Sequence, residues 1–226
     1  MKISSSEFDF EIETDQIDLS TIKDSFNILI LGDSSIGKTS ILERFCHNFF
    51  KKEKYFQHSL KIYKKTYNYF NKKYLIKFWD PPNCIDECND SEIKMFHNCD
   101  GIIYVCSYDN PNSLININKW YQYLTRYIDL STKEMVLLVN KKDLKDEEKL
   151  INETQIEKKS KDLQLKLFEI SAKSGENVFN SIKEFINKII DKYRSNNLNG
   201  EDGQNNESSS DNENENEDKD DGCFII

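Results

Sequence analysis

The chain has 226 residues and a formal net charge of −9, a length that suits one domain of about 170 residues plus tails. The charge is unevenly placed: residues 195–226 carry ten acidic residues against one lysine, so residues 1–194 balance near zero. No broad basic surface remains, which disfavours a nucleic-acid partner. Nor is there a run of eighteen apolar residues or a signal-type N-terminus, and a cytosolic protein is expected.

Residues 1–25 alternate weakly at Phe8, Phe10 and Ile12 among acidic residues. They read as an acidic extension, either a disordered arm or an added edge strand, with disorder the favoured reading. Residues 26–31 read as a buried parallel strand and 37–47 as the helix that it feeds. Two apolar-aromatic runs, 60–69 and 74–79, joined by Phe70-Asn71-Lys72-Lys73, resemble a hairpin that ends at Asp80. Pro81-Pro82-Asn83 then breaks regular structure. Gly101 to Ser107 is another buried strand, and Pro111 opens a helix whose one face carries Leu114, Ile117, Trp120, Tyr121 and Leu124. A fifth strand over 135–139, a helix over 153–163, a sixth strand over 166–170 and an amphipathic helix over 177–194 complete the pattern. Strands and helices alternating at these lengths predict a doubly wound α/β protein, a mostly parallel six-stranded sheet with helices on both faces. A ligand belongs at the carboxyl ends of its strands. Cys46, Cys99 and Cys106 fall in apolar-periodic segments and read as core thiols. Cys84 and Cys88 have no partner pair with which to hold zinc.

Between the first strand and its helix lie Gly32, Asp33, Ser34, Ser35, Ile36, Gly37, Lys38 and Thr39, followed by Ser40. They fit the phosphate-binding pattern G-x-x-x-x-G-K-[ST]. The two glycines permit a tight turn whose N–H groups face inward, and the helix adds the positive end of its dipole. Lys38 brings a positive charge to the outer phosphates, and the Thr39 hydroxyl is a ligand for phosphate-bound Mg²⁺. Two later stretches name the base. Asn140-Lys141-Lys142-Asp143 and Ser171-Ala172-Lys173 follow the fifth and sixth strands and reach the same sheet edge. A carboxylate such as that of Asp143 accepts from both N1–H and the exocyclic amine of guanine. Adenine offers no such pair and would leave a charge unpaired, a penalty of several kcal/mol.

With these residues in order the chain resembles a Ras-superfamily small GTPase, most closely the Rab branch. The likeness runs from about residue 26 to 194 and rests on GDSSIGKT, Trp79-Asp80, GIIYVCSYDNPNSL, Trp120, NKKD and SAK. It implies that Asn140 and Asp143 bind guanine, that Lys141 packs over the base, and that the Ala172 N–H meets the base carbonyl, with Ser171 and Lys173 beside it. Phe50 falls where the family sets an aromatic ring against the guanine edge. The resemblance also implies GTP/GDP and Mg²⁺ as ligands, with exchange factor, activating protein, effector and prenyl-binding chaperone as partners of a monomer.

The sequence departs from that pattern where the family switches. Gln57 stands at the place of the switch threonine that ligates Mg²⁺, and Ser59 takes that place if the loop shifts by two. Where the family reads Asp-x-x-Gly-Gln, this chain reads Asp80-Pro81-Pro82-Asn83-Cys84. Asp80 retains a carboxylate for Mg²⁺, but Cys84 is too short to orient the attacking water as glutamine does, so slow hydrolysis is expected. Ser35 replaces a usual glycine and carries strain if its φ is positive.

Residues 195–222 hold too few apolar groups to fold and are expected to be a disordered tether with a reach of roughly 30 Å. The final Cys223-Phe224-Ile225-Ile226 fits C-a-a-X, with Cys223 the prenylated residue. A lipid-anchored protein on a cytoplasmic membrane face follows, held weakly because the acidic tail is repelled by anionic lipid.

Overall fold

The apolar run Ile28–Leu31 becomes the second half of the central strand of a seven-stranded sheet. The structure is a computed structural model and describes residues 12–13, 22, 24–52, 60–81 and 96–201. Its strands are β1 (Ile12–Glu13), β2 (Asp24–Leu31), β3 (Lys61–Tyr69), β4 (Lys72–Asp80), β5 (Gly101–Ser107), β6 (Glu134–Asn140) and β7 (Lys166–Glu169). They lie in the order β1-β3-β4-β2-β5-β6-β7. Among the described strands only the β3–β4 pair is antiparallel; β1 runs parallel to β3, β2 parallel to both β4 and β5, and β6 and β7 continue that direction. The chain ends of β2, β4, β5, β6 and β7 therefore share one edge, where the phosphate-type loop, Asp80, Asn140 and Ser171 all emerge.

Helices α1 (Lys38–His47), α2 (Pro111–Leu124), α3 (Glu153–Asp162) and α4 (Val178–Glu201) cover the sheet. Every residue of β5 is buried, as a strand covered on both faces requires. On one face Leu29, Leu31, Ile102, Tyr104, Leu137 and Val139 pack with Ile117, Trp120 and Leu124 of α2 and Ile156 of α3. Alternation along the strands turns Ile28 and Ile30 to the other face. There Phe45 of α1 meets Phe78 edge-on at 5.5 Å and Phe179 of α4 at the same separation. A Cβ on Gly101 would come within 2.5 Å of Ile189 and 2.8 Å of Phe185, so α4 passes directly over the start of β5. Each fully buried Ile or Leu contributes about 1.5–3 kcal/mol through its removal from water.

Local chemistry fixes the boundaries. Phe70 and Asn71 turn the hairpin at φ 45° and 58°, the two positive angles of a type I′ turn. Strand β4 consequently starts at Lys72, inside the connection expected from sequence. Pro111 starts α2, and Asn110 caps it by accepting from the Ser113 N–H at 3.2 Å. Asn152 and Gln155 form a reciprocal cap on α3.

Three expectations change. Ile12–Glu13 pair parallel with β3 as a two-residue edge strand. At those residues the edge-strand alternative holds, not the disordered arm, and β2 starts at Asp24 instead of 26. Helix α4 runs to Glu201, past Arg194, so residues 195–201 are helical and not tether. The chain divides after Ile190 into two units, Met1–Ile190 and Asp191–Ile226, and the site below belongs to the first. The rest of the expected tether and Cys223 lie outside the described residues, as do Gln57, Ser59, Asn83, Cys84 and Cys88. Cys46, Cys99 and Cys106 are buried, as core cysteines should be.

Candidate functional site

The loop after β2 is shaped by positions that reject a side chain. Gly32 has φ 145°, and a Cβ there would meet the Val105 carbonyl oxygen at 2.3 Å. Gly37 has φ 97°, and its Cβ would meet Asn140 Nδ2 at 2.4 Å. Ser35 adopts φ 61°, so the strain anticipated for it is present. Gly37 leads into α1 with no side-chain cap and no acidic residue in the first turn, unlike α2 and α3 with their asparagine caps. The positive end of that helix dipole suits an anion. Ile36, inside the loop, is fully buried, whereas Ser34 and Ser35 face solvent.

Lys38 is 4 % exposed and folds back over the loop, donating to the carbonyls of Gly32 at 2.7 Å and Asp33 at 2.9 Å. Burial pushes its ammonium pKa down, opposed by the negative charges of Asp80 and Asp33. Next to it Thr39 Oγ1 donates to Asp80 Oδ2 at 2.6 Å. A nucleotide-bound Mg²⁺ takes hard oxygen ligands, and this hydroxyl and buried carboxylate are oxygens of that kind beside the phosphate-type loop. The donor set fits the ion. Ser40 follows in α1, half-buried.

Asn140, at the end of β6, is 2 % exposed and joins two loops. Its Nδ2 donates to the Ile36 carbonyl at 2.8 Å, and its Oδ1 accepts from the Ala172 N–H at 3.0 Å. The Ala172 N–H assigned to a base carbonyl is thus committed here to Asn140. Asp143 Oδ1 accepts from the Ser171 hydroxyl at 2.5 Å, and its Oδ2 lies 3.3 Å from Lys173 Nζ. Lys141, at φ 67°, donates to both oxygens of Asp109 at 3.0 and 2.7 Å and to the Ser35 carbonyl at 3.0 Å. Phe50 follows α1 and is half-buried. Among the described residues, every predicted phosphate and base residue except Phe50 belongs to this one edge of the sheet or to the helix leaving it.

Three participants escaped the sequence reading. Arg44 on α1 donates to the carbonyls of Ala172 and Lys173, both at 2.9 Å, and so clips the Ser171–Lys173 loop to the helix. Asp109 anchors Lys141; it follows β5 at the same edge, a position that the topology argument could have flagged. Burial raises the Asp109 pKa, but hydrogen bonds from Lys141 and Ser107 outweigh it and hold the carboxyl below its ordinary value. Asn116 joins Trp120 in contacting Asp33.

A doubly wound sheet with a glycine-cradled, lysine-closed loop at its switch edge and an Asn/Asp-bearing loop beside it defines a P-loop nucleotide-binding protein. Comparison with protein families matches residues 27–191 to the Ras family. The chain is 30% identical to "Ras-related protein RabG2" of Dictyostelium discoideum over 74% of its own length and 83% of that protein. Similarity extends to "Ras-related protein Rab-8B" of Homo sapiens, 28% identical over 79% of this chain and 86% of that one. With "Ras-related protein Rab-10" of Diplobatis ommata it shares 26% over 74% and 82%. The chain therefore belongs to the Ras family of small GTPases, in its Rab branch.

Proposed function

We propose that the protein is a guanine-nucleotide switch that hydrolyses GTP slowly and works, lipid-anchored through Cys223, on a cytoplasmic membrane face in vesicle traffic. The observation that carries the nucleotide part is the double role of Asn140, which fastens the phosphate loop at Ile36 to the base loop at Ala172. One buried side chain thereby sets the distance between the two halves of a nucleotide site. The uncapped start of α1 supports phosphate binding, and the Asp143–Ser171 pair supports a carboxylate held in place for the guanine edge. Traffic, exchange factors, activating proteins, effectors and a prenyl-binding chaperone follow from similarity to the Rab-named relatives.

In this reading Lys38 stabilises charge on the β- and γ-phosphates, and Thr39 and Asp80 hold Mg²⁺, with the second switch ligand open between Gln57 and Ser59. The ion supplies neutralisation of phosphate charge. Water adds to the γ-phosphorus, the bridging P–O bond on the γ side breaks, and GDP and phosphate leave. Cys84 occupies the position of the water-orienting glutamine, and its shortness costs a factor of about 10–10³ in rate.

Single-turnover hydrolysis on GTP-loaded protein tests the reading. The expected intrinsic rate is below about 10⁻⁴ s⁻¹, and Cys84→Gln raises it about tenfold or more. A wild-type rate at or above the ordinary intrinsic rate of the family overturns slow hydrolysis. A rate of zero that no activating partner restores would favour a recruitment module that holds nucleotide without cycling.

A further inference from the structure

Asp33 places a carboxylate inside a loop built to bind anions, where its charge opposes the ligand. The structure disposes of that charge in a specific way. Asp33 Oδ2 accepts from Asn116 Nδ2 at 2.8 Å, and Oδ1 accepts from Trp120 Nε1 at 3.3 Å. Asn116 and Trp120 are four residues apart on α2 and hence on one face of it. Trp120 is 3% exposed, so its ring is fixed in the core and its N–H has a fixed direction. The backbone of Asp33 is held as well, since its carbonyl accepts from Lys38 Nζ at 2.9 Å.

We infer that Asn116 and Trp120 are positioning residues for nucleotide affinity: through Asp33 they hold the phosphate loop open to phosphate and keep its carboxylate turned away from Lys38. Neither touches the ligand. Without the two donors, Asp33 is free to turn towards the Lys38 ammonium and compete with the β-phosphate for it. Helix α2 thereby becomes a part of the molecule whose position sets how tightly phosphates are retained. The inference rests on the nucleotide-site reading above.

The test is equilibrium competition of GDP and GMP against a fluorescent GDP analogue, with Mg²⁺ present, on the full chain. Asn116→Ala and Trp120→Phe are each expected to weaken GDP about 5–20-fold while GMP, which lacks the β-phosphate, changes less than threefold. Asn116→Asp, which sets two carboxylates face to face, is expected to weaken GDP further. In a double-mutant cycle, Asn116→Ala added to Asp33→Ala is expected to cost no more than Asp33→Ala alone. Equal losses for GDP and GMP, or additive losses in the cycle, mean that α2 merely supports the fold, and the inference is overturned. Unchanged GDP affinity in both Asn116→Ala and Trp120→Phe overturns it as well. Should the wild-type chain fail to bind GDP at all, the nucleotide reading itself falls, a result distinct from either of these.

Discussion

The Thr39 hydroxyl donates to Asp80 Oδ2 at 2.6 Å, joining the first turn of α1 to the last residue of β4. This contact brings together two oxygen donors that are far apart in sequence, beside the lysine that closes the phosphate loop. If they hold the ion, chelation with EDTA should speed GDP release from the wild type at least about tenfold, equivalent to about 1.4 kcal/mol. Thr39→Ala should release GDP fast from the outset and respond to EDTA less than about twofold. Stopped-flow release of a fluorescent GDP analogue measures both.

Asp143 is expected to carry base selection. Asp143→Asn replaces one acceptor oxygen by a donor facing the N1–H and amine of guanine. GDP affinity should fall by about 10²–10⁴-fold, whereas weak ADP binding should be unchanged. Competition titration reads this directly, and a loss below about tenfold would mean that Asp143 serves only to hold Ser171.

Ser35 holds φ 61° for the sake of the loop's path, and its carbonyl, not its side chain, meets Lys141. Ser35→Gly removes strain of about 1–2 kcal/mol but adds glycine's freedom in the unfolded chain. The net expectation is a gain of about 0.5–1 kcal/mol, seen as a higher urea midpoint with an unchanged slope.

Asp109 gives the molecule a pH-dependent element. Its folded-state pKa is lowered, so its contribution is present above the unfolded value near 4 and disappears as pH falls through the folded one. The Lys141–Asp109 pair is partly exposed, with side chains 27% and 39% accessible, so solvent screening limits it to about 0.5–1 kcal/mol. Asp109→Asn should be less stable than wild type by that amount at pH 7, and the two unfolding curves should converge as pH falls through the lowered folded-state pKa.

The acidic tail should oppose anionic membranes. Prenylated protein is expected to bind phosphatidylcholine vesicles better than vesicles rich in phosphatidylserine, as measured by co-sedimentation, with the difference shrinking at high salt. Binding that rises with phosphatidylserine content would contradict this.

The candidate site stood out in the sequence because it is concentrated in short motifs, residues 32–39, 140–143 and 171–173, which the fold brings to one edge of the sheet. The parallel sheet was legible because residues 28–31 of β2 and 102–106 of β5 are unbroken apolar runs. Contacts across the fold were not. Arg44 reaches Ala172 over 128 residues of chain and Asn116 reaches Asp33 over 83, and neither residue belongs to a motif. The far end of α4 was missed because residues from 195 onward hold too few apolar groups to signal a packed helix. A helix already nucleated adds one hydrogen bond per residue, and Ser195 Oγ bonds back to the Asp191 carbonyl at 2.9 Å, so the turns continue. The two-residue strand β1 is too short for its alternation to stand out from a polar arm.

The most direct measurement is the nucleotide that the purified protein carries, released by denaturation and separated by base and phosphate number. The account predicts guanine nucleotide at about one per chain, as GDP or slowly consumed GTP, with no adenine nucleotide. Recovery of adenine nucleotide, or a protein that retains neither when Mg²⁺ is supplied, would contradict it.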